Sequence, residues 1–144
     1  MVRIETVTEA TAEVHAALAH LLPQLNDKLP VPTMERIEAL VADPAVTLLL
    51  AKDGEEVVGT TTVIVYTTPF WIKARLDEVV VDEAARGKGV GAALVSAALD
   101  VAREKGAQVA ELQSGVQREA ANRLYPRMGF KPRKTNVYRL VLRP

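Results

Sequence analysis

Cysteine is absent from the 144 residues, which removes disulfides, thiolate nucleophiles and most structural zinc sites from the chain's chemistry. Group transfer would have to use another nucleophile or pass directly between two bound substrates. Neither sign of charge is in excess, since Lys plus Arg number 18 and Asp plus Glu number 18. Nothing global therefore draws the chain to nucleic acid or to an anionic membrane, and any electrostatic role is local. There are two histidines, His15 and His20. They sit about 140° apart on a helix, so one face cannot offer both to a metal, and they read as surface residues of the first helix. No metal is expected. No apolar run approaches the roughly 20 residues that a membrane span requires. The N-terminal run MVRIETVTEATAEV has neither the basic nor the apolar region of a signal peptide. The expectation is a cytoplasmic, soluble protein with no membrane or nucleic-acid partner.

What is present fits one domain, residues 1–144, large enough to bury roughly two-thirds of the surface its unfolded chain exposes. Residues 2–7 read as a strand. Val14, Ala17, Leu18, Leu21 and Leu22 then recur at helical spacing until Pro23. After a proline-rich loop, Thr33 can cap a second helix striped by Met34, Ile37, Leu40 and Val41. VTLLLAKDGEEVVGTTTVIVYT folds back on itself at Asp53-Gly54 as a hairpin. Residues 74–81 make another strand, a helix follows from about 88 to 105, and Gly106 ends it. AQVAEL is a further strand. SGVQ matches a capping box, with Ser114 opening a helix that runs to Gly129, and NVYRLVL closes the chain as a strand. The fold class expected from this order is α/β (α+β) with a mixed sheet.

Within DEVVVDEAARGKGVGAALV a strand, three glycines and a helix follow one another. Glycines opening a helix let a ligand approach the backbone, and the free amides with the helix dipole make an anion site, to which Arg86 and Lys88 add charge. A glycine turn that only lets helix and sheet pack closely is the plainer alternative. A Walker A loop is excluded because Gly89, not Ser or Thr, follows Lys88. Gly87, Gly89 and Ala92 do fit G-x-G-x-x-A, with Glu111 where a ribose-binding acid would stand. Against that dinucleotide reading, DEAAR separates the strand from the first glycine, and too little chain follows Glu111 to complete a doubly wound domain.

VVVDEAARGKGVGAALV resembles the acyl-CoA loop of the GCN5-related N-acetyltransferases, with Arg86, Gly89 and Gly91 filling its pattern. ANRLYPRMGF resembles the family's second motif, an Asn three residues before a Tyr and then Gly-Phe. The resemblance covers the chain from about residue 45 onward, and the two N-terminal helices suit it. It implies a mixed, mostly antiparallel central sheet flanked by helices on both faces. Two parallel strands, 74–81 and 108–113, would splay to admit the pantetheine arm of acetyl-CoA. It also implies the pyrophosphate on Arg86, Gly87, Lys88, Gly89, Val90, Gly91 and Ala92, with the arm held by Val79, Val80 and Val81 and by Asn122.

Transfer of an acetyl group from a thioester to an amine needs a neutral amine, a polarised carbonyl and a proton for the thiolate. The resemblance places Tyr125 at the thiolate as the acid. Ala121, Leu124, Tyr125 and Met128 also share a helix face, on which Tyr125 could be plain core. Pro126 would disturb the helix around it. Asp77 and Glu78 are the base candidates. Strand alternation sends them to opposite faces, and by resemblance Asp77 takes the base position while Glu78 faces the substrate. A solvated strand end is the alternative for both. Asn122 could equally be a solvent-facing helix residue. Residues 22–33 and the turn at 67–73 are expected to shape the acceptor pocket. In that turn Phe70 and Trp71 either line the pocket or cover a sheet edge. The expected activity is direct transfer in a ternary complex to a small-molecule or protein amine, and a homodimer is compatible with it. A catalytically silent acyl-CoA-binding module and a nucleotide-dependent oxidoreductase are the competing classes.

Overall fold

The computed structural model describes residues 1–143. Five strands lie in sequential order, β1 (Val2–Thr6), β2 (Val46–Asp53), β3 (Glu56–Thr67), β4 (Ile72–Val81) and β5 (Val109–Glu111). The first four pair antiparallel, and β4 pairs parallel with β5. Helices α1 (Ala12–Leu21) and α2 (Met34–Ala42) precede β2, α3 (Val90–Glu104) joins β4 to β5, and α4 (Glu119–Arg127) follows β5. The expected class, a mixed α/β sheet with a parallel pair, is what forms.

Strand β2 shows why the layers stack as they do, because its apolar residues run without a polar break and both faces are buried. Leu48 and Leu50 pack with Val14, Leu18 and Ile37 of α1 and α2. Leu49 and Ala51 face the other way, into a core with Val90, Leu94, Val95 and Ala98 of α3 and with Tyr125 of α4. Thr11 and Thr33 cap the first two helices, their hydroxyls accepting from the amides of Val14 and Arg36. Helix α3 crosses the sheet closely at Gly59, where a Cβ would lie 2.9 Å from Leu94 Cδ1 and 3.0 Å from the Val80 carbonyl oxygen.

Three expectations are corrected. Ser114 caps nothing: α4 begins at Glu119 with no side-chain cap, and Ser114 Oγ is buried without a partner among the described residues. The segment from Ser114 to Arg118 turns locally through Arg118 N–H to Gly115 O and so delays the helix. AQVAEL pairs over only three residues, since the chain leaves β4 after Glu111. NVYRLVL is not a strand here: residues 136–142 are exposed and pair with no sheet strand, because β5 ends the sheet without them. Pro126 lies inside α4, near its end, and the helix closes around it through Met128 N–H to Leu124 O and Phe130 N–H to Tyr125 O.

Candidate active site

Strands β4 and β5 are in register at Lys73–Val109, Ala74–Ala110 and Arg75–Glu111, and there the ladder stops. Strand β4 runs on to Val81 while the other chain turns away. The result is a parallel pair open at its C-terminal end. A cavity of about 990 Å³ occupies that end, lined by Asp77, Glu78, Val79, Leu112 and Tyr125 among others.

Asp77 and Glu78 do not behave as alternating strand residues. The β3–β4 register slips between Thr60 and Thr62, and Glu78 takes a left-handed backbone with φ 52°. The bulge turns both acids into the same cavity, which corrects the expectation of opposite faces. Asp77 is engaged: Arg75 Nε donates to Oδ2 at 3.1 Å and the Glu78 amide donates to Oδ1 at 3.1 Å. The Glu78 carboxylate has no partner among the described residues. Its partial burial, and next the charge of Asp77, hold its carboxyl above the usual glutamate range.

Tyr125 is buried from α4 with its ring edge-on to Phe130, centroids 5.8 Å apart. Burial raises its phenol, and the charge of Arg118 works in the opposite direction. Tyr125 is thus both core and cavity wall, so the two readings of it are not exclusive. Arg118, which no sequence pattern singled out, donates from Nη2 to the Val79 carbonyl at 3.3 Å across the opening. Asn122 Nδ2 donates to Gly115 O at 2.9 Å and pins the loop after β5. It is half-buried.

The glycine loop follows β4. Asp82 caps a 3-10 turn at Glu83–Ala85, accepting from the Ala84 amide, and its other oxygen meets His20 Nε2 at 2.8 Å. The His20 bond, ahead of the Ala84 amide, lowers the Asp82 carboxyl. Gln24 adds a bond to the Glu83 amide. His20 is therefore not merely a surface residue, since it ties the end of α1 to the loop. Gly87 and Gly89 have φ of 81° and 79°, and no neighbouring atom within 4 Å of where a Cβ would stand. A ligand can reach this backbone. Gly89 precedes Val90 without a side-chain cap, and the first helical amide to find an oxygen is that of Ala93, on Gly89. Arg86 and Lys88 are exposed beside it, while Gly91 and half-buried Ala92 begin the helix. Gly91 faces Leu124, where a Cβ would come within 3.2 Å, so its role includes packing α3 against α4. Val80 is buried core and Val81 is half-buried.

The uncapped helix start, the open glycine cradle and the orphaned Ser114 Oγ in the loop beyond the splay fit an acyl-CoA. The loop at 22–33 lines the cavity through Leu25, Leu29 and Val31. The turn at 67–73 does not reach it: Phe70 and Trp71 stand exposed at the far end of the β3–β4 hairpin. Arg36 of α2 and Arg139 also line the cavity, and the sequence carries no local signal for either.

Residues 14–130 match the model of the acetyltransferase (GNAT) family. An uncharacterised N-acetyltransferase of Methanocaldococcus jannaschii is 36% identical over 61 residues, which is 42% of this chain and 27% of that protein. An aminoalkylphosphonate N-acetyltransferase of Salmonella typhimurium is 33% identical over 130 residues, 86% of this chain and 80% of that protein. Among solved structures, a transcriptional regulator from Bacillus halodurans C-125 superimposes with a TM-score of 0.82 at 28% identity, covering 98% of this chain and 100% of the other.

Proposed function

Because the chain belongs to the acetyltransferase (GNAT) family, we propose that it moves an acetyl group from acetyl-CoA to a primary amine by direct transfer in a ternary complex. The observation that carries this reading is the convergence of Asp77, Glu78 and Tyr125 on one cavity at the open end of the β4–β5 pair. Glu78 is the base: it is unpaired and its raised carboxyl suits it to take the ammonium proton. Asp77, held by Arg75, keeps Glu78 in that range and fixes the bulge. The freed amine nitrogen attacks the thioester carbonyl, the carbon–sulfur bond breaks, and Tyr125 gives its proton to the departing thiolate. The amides of Gly87 to Ala92 with Arg86 and Lys88 hold the pyrophosphate. The backbone of Val79 and Val81 with Asn122 holds the pantetheine arm. The second lone pair of the Val79 carbonyl stays free beside Arg118.

The acceptor is an amine that also carries an anionic group. Arg36, Arg118 and Arg139 line the same cavity as the two acids, together with Arg75, which is paired with Asp77, so the cavity offers guanidinium groups beside its carboxylates. The Salmonella relative's aminoalkylphosphonate supports that pairing. A thiol-release assay tests it with 2-aminoethylphosphonate against ethylamine and a neutral amino sugar. The expected result is turnover favouring the phosphonate by at least tenfold in kcat/KM, with intersecting initial-rate lines. Equal rates on ethylamine would refute the anionic acceptor, and parallel lines with an isolated acetyl-enzyme would refute direct transfer.

A silent acyl-CoA-binding module is the second reading, favoured by the Bacillus halodurans neighbour named a transcriptional regulator. It predicts coenzyme A binding with no thiol release on any amine.

A further inference from the structure

The glycine loop has little of its own to hold it in shape. Arg86, Gly87, Lys88 and Gly89 are all exposed, and no atom lies within 4 Å of where a Cβ would stand at either glycine. Glycine loses more backbone freedom than any other residue when it is fixed, so a loop with two of them binds an anion tightly only if its ends are restrained beforehand. The far end is fixed by Val90, which is 2% exposed at the head of α3. The near end is the 3-10 turn at Glu83–Ala85, set by Ala85 in the core and by the Asp82 amide on Val58 O at 2.8 Å.

Among the described residues, His20 and Gln24 are the only side chains from outside residues 82–92 that hydrogen-bond to this segment. His20 lies in the last turn of α1, and Gln24 in the short 3-10 turn that continues it. The bonding pattern fixes the orientation of both. Gln24 Oε1 accepts from the Glu83 amide at 2.9 Å, so its nitrogen end can only donate, and it reaches His20 O at 3.3 Å. The Asp82 carboxylate only accepts, so the His20 nitrogen 2.8 Å from it carries a proton. Asp82 Oδ1 takes the Ala84 amide at 3.1 Å. The Glu83 amide is the first of its turn and has no acceptor within the turn. The two side chains thus hold the turn at its start, one through Asp82 and one through Glu83. The Asp82 side chain is 10% exposed against 64% for His20, which shields the shared bond from water on the loop's side.

We propose, on the acyl-CoA reading of the loop, that His20 and Gln24 are positioning residues for the donor: by holding the turn before Arg86 they preorganise the pyrophosphate cradle. Without them the cost of ordering the two glycines falls on the binding step and weakens it. The loss is confined to the pyrophosphate. The pantetheine arm lies on β4 before the turn, where Val80 and Val81 are already paired with Thr60 and Gly59 of β3. Neither His20 nor Gln24 lines the cavity that holds Asp77, Glu78 and Tyr125, so neither is placed to touch the acceptor or the reacting atoms. Leu18 and Leu22, on the same stretch, do line it, so replacing His20 or Gln24 leaves that wall in place.

Titration with coenzyme A, beside a parallel titration with pantetheine, which has the arm but no pyrophosphate, separates this role from a merely structural one. His20→Ala and Gln24→Ala should each raise the coenzyme A Kd about three- to tenfold, the size expected for loss of one hydrogen bond, and leave the pantetheine Kd unchanged. His20→Gln brings an N–H donor to where Nε2 stands and should restore most of the affinity. Variants that bind coenzyme A as wild type does overturn the proposal. An equal loss for coenzyme A and pantetheine also overturns it, because the effect is then general to the fold. His20→Gln as weak as His20→Ala overturns the hydrogen bond as the cause. Wild-type protein that does not bind coenzyme A overturns the acyl-CoA reading itself, whereas wild-type binding with unaffected variants overturns the tether alone.

Discussion

Gly59→Ala is the sharpest test of how the sheet positions the glycine loop. Gly59 lies on β3 opposite Val81, and its backbone is not in the left-handed region, so alanine can take the conformation. Space is the obstacle. The new methyl carbon would stand 2.9 Å from Leu94 Cδ1, 3.0 Å from the Val80 carbonyl oxygen and 3.1 Å from Val90 Cγ1. Leu94 is 0% exposed and Val90 2%, so neither can swing into solvent, and the carbonyl belongs to a paired strand. Overpacking of this kind costs about 1–3 kcal/mol. Alanine returns roughly 0.4–1 kcal/mol by restricting the unfolded chain. The clash wins, by about 0.5–2 kcal/mol, which for a domain of this size lowers Tm by roughly 1–8 °C. Val90 also opens α3, so pushing it away from the sheet shifts the amides that face the anion site. Coenzyme A affinity should fall several-fold by calorimetry. A Gly59→Ala protein that melts at or above wild type and binds coenzyme A equally would refute the close crossing of α3 and β3 as the device that positions the loop.

Gly89→Glu should abolish the coenzyme A-induced melting shift, worth about 2.7 kcal/mol at a hundredfold excess over Kd. It places a carboxylate in the anion site and a side chain at φ 79°, whereas Arg86→Ala leaves the amides in place and should weaken binding less. Tyr125→Phe removes the hydroxyl and keeps the packing on Phe130. It should lower kcat roughly 10²- to 10⁴-fold without changing coenzyme A affinity by titration, and unchanged kcat would remove Tyr125 from the proton path. Glu78 binds its proton more tightly folded than unfolded, so its ionisation costs stability once pH rises through the ordinary glutamate range. Glu78→Gln should therefore raise Tm at neutral pH, leave it unchanged in acid, and erase the acid limb of the kcat/KM profile. A lower Tm at pH 7 or a retained acid limb would contradict the base assignment.

Local chemistry made much of the molecule legible. The helix start at Met34 follows from Thr33, whose hydroxyl accepts from the Arg36 amide within the same turn. The hairpin at Asp53-Gly54 forms where expected because only its own residues are needed, Gly54 adopting φ 64°. The glycine loop was readable for the same reason: Gly87 and Gly89 adopt backbone conformations that few other residues accept. Strand, cradle and helix are contiguous in the chain.

What escaped the sequence is what distant segments impose on one another. The bulge that brings Asp77 and Glu78 to one cavity is a register slip against Thr60 and Thr62, and no alternation rule within β4 contains it. Arg118, Arg36 and Arg139 come to the cavity from three separate parts of the chain. Ser114 had a capping pattern but lost its helix to a local turn that Asn122 pins through Gly115. Residues 136–142 carry a strand's pattern because pattern is local, but pairing is not. A strand exists only where a neighbouring backbone offers its amides and carbonyls, and residues 136–142 pair with none of the five strands.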